Sequence, residues 1–316
     1  MAEWLFEAGI GERRAALVDA DDRILIAAIE PDDAGPLVGT VMPARLVELL
    51  PARRGRVTLA DGVDAMLDAV PPGMTQGAGV TVAITREPIV EPGRHKPARC
   101  VATDAAPAAG PDLLARIVAT GDPVTTMRAH EPDRLERAGW SEVLEEATGG
   151  TIGFAGGTLL LCPTPAMTVF DVDGSPPADT LALAAATAVA AAIVRHGIGG
   201  SIGIDFPTVE GKAIRQAVAA AIDAGLPAPF ERTAVNGFGF LQIVRPRPRP
   251  SLPERLRADP VAAAARAALR LLERSPPGAS RRHRLPAPVW RALTARPDWL
   301  AELARRTGVV HELESM

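Results

Sequence analysis

The chain has no tyrosine, only 3% aromatic residues and two cysteines, Cys100 and Cys162, in 316 residues. Two cysteines so far apart form neither a disulfide framework nor a zinc-binding spacing. Positive charge is not in excess either. The formal net charge is −4, so nothing global argues for nucleic acid, and an RNA site would have to be a local basic patch. No apolar run is expected to be long enough to cross a bilayer. The acidic start Met1-Ala2-Glu3 lacks the pattern of a secretory signal. A cytoplasmic protein with no membrane partner is therefore expected. The histidines are scattered, and no Ser-His-Asp or Cys-His arrangement can be argued from them. The run Gly197-Ile-Gly199-Gly200-Ser-Ile-Gly203 lies between a helix and a strand, the wrong order for a dinucleotide fingerprint. Val209-Glu210-Gly211-Lys212 lacks the upstream glycine of a phosphate-binding loop.

What is present is Ala, Arg, Pro and Gly in abundance, and 47% hydrophobic residues, enough for two cores or more. The chain is organised around residues 156 to 206. Leu159–Cys162 and Met167–Phe170 read as strands joined by a turn at Pro163 and Pro165. Asp179 to Arg195 is Ala-rich, free of Pro and Gly, and reads as a helix stopped at Gly197, Gly199 and Gly200. Ser201–Phe206 is again a strand. Asp171 and Asp205 thus fall late in two strands of a β, β, α, β unit. Carboxylates in apolar strands are costly unless paired or holding a cation. Two brought together repel, and Mg²⁺, which takes one or two carboxylates plus waters and phosphate oxygens, relieves that. The pair is therefore a candidate Mg²⁺ site for phosphodiester chemistry. The other reading is two strand-end acids facing water.

Elsewhere, Trp4–Ala8, Ala15–Val18 and Arg23–Ile29 read as a β-meander. Short apolar runs between residues 38 and 103, separated by Gly and Pro, suggest a small β-barrel. Its cations Arg53, Arg54, Arg56, Arg86, Arg94 and Lys96 could attract phosphate or form a solvated face. Residues 112 to 150 carry helical patterns. Residues 208 to 224 read as a helix N-capped by Thr208, with Lys212 and Arg215 on one face. Arg245, Arg247 and Arg249 alternate with proline and are expected to project from an extended segment. Beyond residue 259 come three helices and a last strand near Val309–Leu313. His283, in the basic run 281–285, reads as solvated or phosphate-facing.

The phrases FDVDG, GGSIGIDF and NGFGFLQIVRPR, separated by helices, resemble the catalytic core of the ribonuclease E/G family. There the corresponding words are IDVN, a helix ending in LGG, VIDF, and RFGL followed by a basic segment. The resemblance covers most of the chain and is strongest over 156–245. It implies an α+β, multi-subdomain fold. An S1/OB-type β-barrel (35–105) is inserted in a split RNase H-like subdomain (1–34 and 106–150). A DNase I-like α/β catalytic core (151–250) and a small C-terminal α/β segment (251–316) follow. It further implies a Mg²⁺-dependent endoribonuclease acting on single-stranded RNA, with Mn²⁺ as an alternative ion. The metal ligands would be Asp171 and Asp205, with Asp173 as an optional third. Lys212, Arg215, Arg245 and Arg247 would contact RNA phosphates.

The departures from the family pattern are also informative. The asparagine of IDVN is Asp173, the acid after VIDF is Thr208, an asparagine near the helix start is Ala182, and the arginine of RFGL is lost. The family's 5′-phosphate sensor motif is absent, so cleavage independent of the 5′ end is expected. The CPxCxGxG segment is absent too, so neither zinc nor a zinc-linked tetramer is expected, while a homodimer stays open. The alternatives are a non-catalytic RNA-binding relative, or a metal-dependent phosphoesterase acting on small nucleotides.

Overall fold

The computed structural model describes residues 2–91, 94–175, 177–276 and 278–316. It is a multi-domain α+β protein containing one closed five-stranded β-barrel. The chain opens with a meander, β1 (Glu3–Ala8), β2 (Glu12–Val18) and β3 (Ile24–Pro31). β2 starts earlier than its apolar residues suggest. Arg14 is only 2% exposed within it, and is admitted because Glu7 and Glu12 pair with it at 2.8 and 2.7 Å.

The barrel follows: β4 (Val41–Leu50), β5 (Arg54–Leu59), β6 (Asp64–Leu67) and β7 (Gly79–Arg86). A small hairpin, β8 (Ile89–Glu91) and β9 (Arg94–Lys96), precedes the closing strand β10 (Ala98–Ala102). Around the barrel the order is β4-β5-β6-β10-β7, with β6 and β10 parallel and the other pairs antiparallel. Alternate residues such as Leu46, Val57, Leu67, Val82, Ile84 and Cys100 fill the interior. Burial, and then the charge of Asp68, pushes the Cys100 thiol up to about 12.

Helix α1 (Leu113–Val118), strand β11 (Val124–Thr126), and helices α2 (Arg134–Arg137) and α3 (Trp140–Gly149) lead out of the barrel. β11 returns to pair in parallel with β1, giving the sheet order β11-β1-β2-β3. α1 covers one face through Leu113 and Ile117 against Trp4 and Phe6. The other face packs on Leu135, Trp140 and Val143.

The second sheet comes from β12 (Thr151–Phe154), β13 (Gly157–Pro163), β14 (Thr168–Gly174), helix α4 (Ala178–Arg195) and β15 (Gly200–Asp205). It is completed by α5 (Lys212–Gly225), β16 (Glu231–Arg232) and β17 (Phe240–Arg245). Its order is β12-β13-β14-β15-β17-β16. β14 and β15 are parallel, joined by α4 as the crossover. α4 and α5 lie on one face, where Ala182, Ala185 and Val189 pack with Phe170, Ile202 and Ile204. The small alanines let helix and sheet approach closely. By length and composition α4 is apolar enough to span a bilayer, with a mean hydropathy of 1.5, which the sequence reading did not expect. In the fold it is a core helix, with its buried residues in this cluster.

The chain ends with α6 (Leu252–Ala258), α7 (Pro260–Glu273), β18 (Arg282–Leu285), α8 (Ala287–Thr294), α9 (Pro297–Thr307) and β19 (Glu312–Ser315). A capping box of Ser251 and Glu254 starts α6. α7 reaches back to the first sheet, where Arg270 and Arg274 pair with Glu7 at 2.9 and 3.1 Å.

Three expectations need correction. Thr208 does not cap α5, which begins only at Lys212 after Gly211; its hydroxyl instead donates to the Phe238 carbonyl at 3.4 Å. His283 is not simply solvated, because β18 pairs in parallel with β19 and the half-buried His283 has its Nε2 3.0 Å from His311 Nδ1. The last strand is Glu312–Ser315, later than the apolar residues 309–313 suggest.

Candidate functional site

The pleat decides which side chains share a surface. In β14 and β15 the register sets Phe170 beside Ile204 on the helix-covered face. The next pair, Asp171 beside Asp205, therefore points to the opposite face, and both aspartates are exposed. Neighbouring strands are roughly 4.8 Å apart, so the two carboxylates start side by side. Among the described residues, neither has a basic side chain within 4 Å or a hydrogen-bond donor. Asp173, two residues on, lies on the same face and is also exposed. It pairs with Thr158 rather than with a residue of β15, which ends at Asp205. Among the described residues no group of three or more His, Cys, Asp or Glu is placed to hold a metal together. The structure thus brings Asp171 and Asp205 together and leaves Asp173 a step away.

The loop 206–211 leaves β15 after Asp205 and enters α5, so Lys212 and Arg215 begin at the same end of the sheet as Asp205, on a helix that packs against the other face. α5 has no side chain capping its first turn, so its N–H groups add to the positive end of the helix. Lys212 is exposed. Arg215 is half-buried and bends back to the Val209 carbonyl at 3.4 Å. Both line a cleft of about 550 Å³ beside Arg232, Ala234 and Val235.

Arg245 and Arg247 lie elsewhere. Arg245 pairs with Gly200, at the start of β15, while Asp205 ends it. Five residues of strand put roughly 16 Å between those ends. The expectation that these arginines project into solvent is corrected by their partners. Arg247 donates to Glu91 at 2.8 Å and pairs with Glu254. Arg249 and Arg255 pair with Glu87 at 3.0 and 2.7 Å. The alternating prolines do keep the chain extended, but carboxylates from the β8 region and α6 meet it. Arg245 donates to the Ile198 carbonyl at 3.3 Å, and burial pushes its guanidinium down from its ordinary value. It lines a cleft of about 490 Å³ with Arg116, Arg249, Arg255, Trp4 and His196.

The barrel's cations are similarly engaged. Arg56 pairs with Glu48 and Asp64 at 3.1 and 3.0 Å, and Lys96 with Glu91 at 2.6 Å. Arg86 donates to the Pro97 carbonyl at 2.7 Å, and Arg53 to the Val70 carbonyl at 3.1 Å. The Arg94 side chain lies outside the described residues.

Sequence reasoning missed the loop before β17. Asn236 Oδ1 accepts the N–H groups of both Phe238 and Phe240, at 2.9 and 3.0 Å. Phe240 is the register partner of Asp205. A Cβ on Gly203 would lie 2.7 Å from the Phe240 ring and 2.9 Å from the Met167 sulfur. Those two groups therefore lie against the bare backbone of β15, on the aspartates' face. The Asn236-Gly237 dipeptide was the available signal for a turn. No protein-family model matches this chain, and no curated protein matches it.

Proposed function

We propose that the chain is a Mg²⁺-dependent endoribonuclease of the ribonuclease E/G type, hydrolysing single-stranded RNA at the open face of the second sheet. The observation that carries this reading is the in-register Asp171–Asp205 pair, exposed and without a counter-ion among the described residues. Two such carboxylates fit a hard divalent cation that keeps waters and takes phosphate oxygens. Asp171 and Asp205 would hold Mg²⁺ or Mn²⁺; such an ion, when bound, would polarise a phosphate and ease deprotonation of the attacking water. The chain's own part is positioning. The two strands fix the carboxylates, and the first turn of α5 with Lys212 offers donors to a neighbouring phosphate. Arg215 would assist from the adjoining cleft. The open sheet face accepts an extended strand without a lid.

The finer architecture follows from the same reading. The barrel order β4-β5-β6-β10-β7, with its parallel β6–β10 pair, supports an S1/OB-type barrel. The first sheet, interrupted by that barrel and joined again by β11, supports a split RNase H-like subdomain. The second sheet with its two helices would be the DNase I-like core.

The test is cleavage of an end-labelled single-stranded RNA with Mg²⁺ or with EDTA, by wild type and Asp205→Asn. Mg²⁺-dependent cutting lost in the variant supports the reading. Equal binding by both proteins without cutting would replace it with a non-catalytic RNA-binding protein. That second reading is favoured by one observation, the lack of a third metal-ligating side chain beside the pair among the described residues.

A further inference from the structure

Phe238 is 85% exposed, more than any other large apolar side chain among the described residues. The chain has seven Phe, four Trp and no Tyr. Each of the other ten is buried or half-buried. A chain so poor in aromatics leaves this one ring in water.

Looseness of the loop does not account for it. Asn236 Oδ1 ties down the N–H groups on both sides of Gly239, and the Gly239 N–H returns to the Asn236 carbonyl at 3.2 Å. The Phe206 N–H donates to the Gly239 carbonyl at 3.2 Å. Gly239 has φ +93°, and a Cβ there would lie 2.2 Å from the Phe206 carbonyl oxygen. The loop is thus pressed against the residue that follows Asp205, with Phe238 held outward at its tip. Beside it, Phe240 and Met167 give the aspartates' face an apolar shelf.

We propose that Phe238 is a base-stacking residue that seats one nucleobase of a single strand whose phosphate lies at Asp171 and Asp205; this rests on the RNA reading above. A nucleotide combines a flat apolar face with an anion that a divalent cation can bridge to carboxylates. The loop and the paired aspartates offer the complement of each, with Phe238 two residues before Phe240, the register partner of Asp205. A second copy of the chain fits less well. A two-fold contact would set this surface against itself, bringing Asp171, Asp173 and Asp205 against their own equivalents. Because every base has a π-face, the stack gives grip and register rather than sequence preference.

The experiment measures binding of a labelled 12-nucleotide single-stranded RNA, 2′-O-methylated against cleavage, in Mg²⁺. The proteins are wild type, Phe238→Ala, Phe238→Leu and Phe238→Trp. Each is also given versions of the strand with one abasic nucleotide placed at successive positions. Wild type and Phe238→Trp should lose affinity at one abasic position by roughly 5- to 150-fold, the range for one base–aromatic stack. Phe238→Ala and Phe238→Leu should bind the intact strand that much more weakly and be indifferent to the abasic site. If Ala and Leu variants bind like wild type and keep the abasic penalty, the stacking role is overturned while the RNA reading stands. If wild type binds no single strand at all, both fall. If Phe238→Ala instead changes the sedimentation coefficient from dimer to monomer, the ring is a protein contact and the proposal is overturned.

Discussion

Two groups of carboxylates in this molecule meet opposite fates. Where α7 crosses the first sheet, Glu7 receives Arg14, Arg270 and Arg274 at 2.8, 2.9 and 3.1 Å. Asp133 receives Arg270 and Arg274 at 2.8 and 3.0 Å. The fold supplies every acid there with a guanidinium. On the open face of the second sheet, Asp171 and Asp205 stand side by side, with no cation from the described part of the chain. The first group is explained by the folded chain alone. The second has no such partner among the described residues, and under the proposed function it is completed by an ion from solution. Acids that a fold leaves unpaired are better functional candidates than acids it pairs, and the contrast can be tested directly.

The largest effect should come from the junction. Glu7→Ala removes the one carboxylate shared by Arg14, Arg270 and Arg274, leaving Arg14 on Glu12 and the other two on Asp133, and breaking buried pairs of this kind costs up to roughly 3–5 kcal/mol. Urea denaturation should show it; a loss under 1 kcal/mol would mean the junction is wet and weak. The matching change on the open face, Asp205→Asn, should leave stability within about 0.5 kcal/mol. It should cut RNA cleavage by more than the roughly 10–100-fold typical of losing a group that only supports a metal ligand. A large drop in stability with activity retained would reverse the comparison.

A smaller effect sharpens it. Mg²⁺ at ten times its dissociation constant should stabilise wild type by about 1.4 kcal/mol. It should do nothing for an Asp171→Asn, Asp205→Asn double variant. Thermal melts with and without the ion read this, and equal shifts in both proteins would place the ion elsewhere.

Acidification addresses the junction again. Burial alone would raise the Asp133 carboxyl, but hydrogen bonds from Arg270 and the Glu136 N–H, with the charges of Arg270 and Arg274, hold it below its ordinary value. The folded state therefore takes up this proton less readily than the unfolded chain. Its stabilisation is present above pH ~4 and is lost as pH falls through the lowered folded value. Asp133→Asn, which keeps a capping oxygen for α2, should flatten that part of the acid limb. Glu12 works in the opposite sense, because burial raises its carboxyl. The mildest probe is alkylation. Cys162 is exposed and Cys100 is buried with a raised thiol, so iodoacetamide should label Cys162 alone. Cys162 pairs with Val169, on the aspartates' face, and single-stranded RNA should slow its labelling if the strand covers that face.

The aspartate pair was legible in the sequence because the signal is local. Two strands joined by one Ala-rich helix make a right-handed parallel unit, and equal placement of the acids near their strand ends sets them in register. The roles of Arg245, Arg247 and Arg249 were not legible. Their composition suggests an exposed basic arm, but the carboxylate Arg247 meets, Glu91, lies 156 positions earlier in the chain. β11, β12, β16 and β18 were missed for a related reason. Each is two to four residues long, too short to show an apolar period, and is made a strand by its pairing, with distant β1 for β11 and with the next strand for the others. The Asn236 loop failed differently: set beside the RFGL of the family it resembles, it reads only as a lost arginine, which hides what an asparagine does in a turn.

The Glu7–Arg270 bond joins residues 263 positions apart, and that has a consequence for the order in which the protein assembles. β1 and β2 carry Glu7, Glu12 and Arg14, yet two of the three guanidinium groups on Glu7, those of Arg270 and Arg274, come from the distant end of α7. Closing so long a loop comes before the contact repays it. The meander pairs through local hairpins, but its junction with α7 can close only when the barrel and the second sheet that lie between them in the chain are looped out. The ion-pair junction at Glu7 thus ties the first sheet to α7 across one of the longest loops the chain must close.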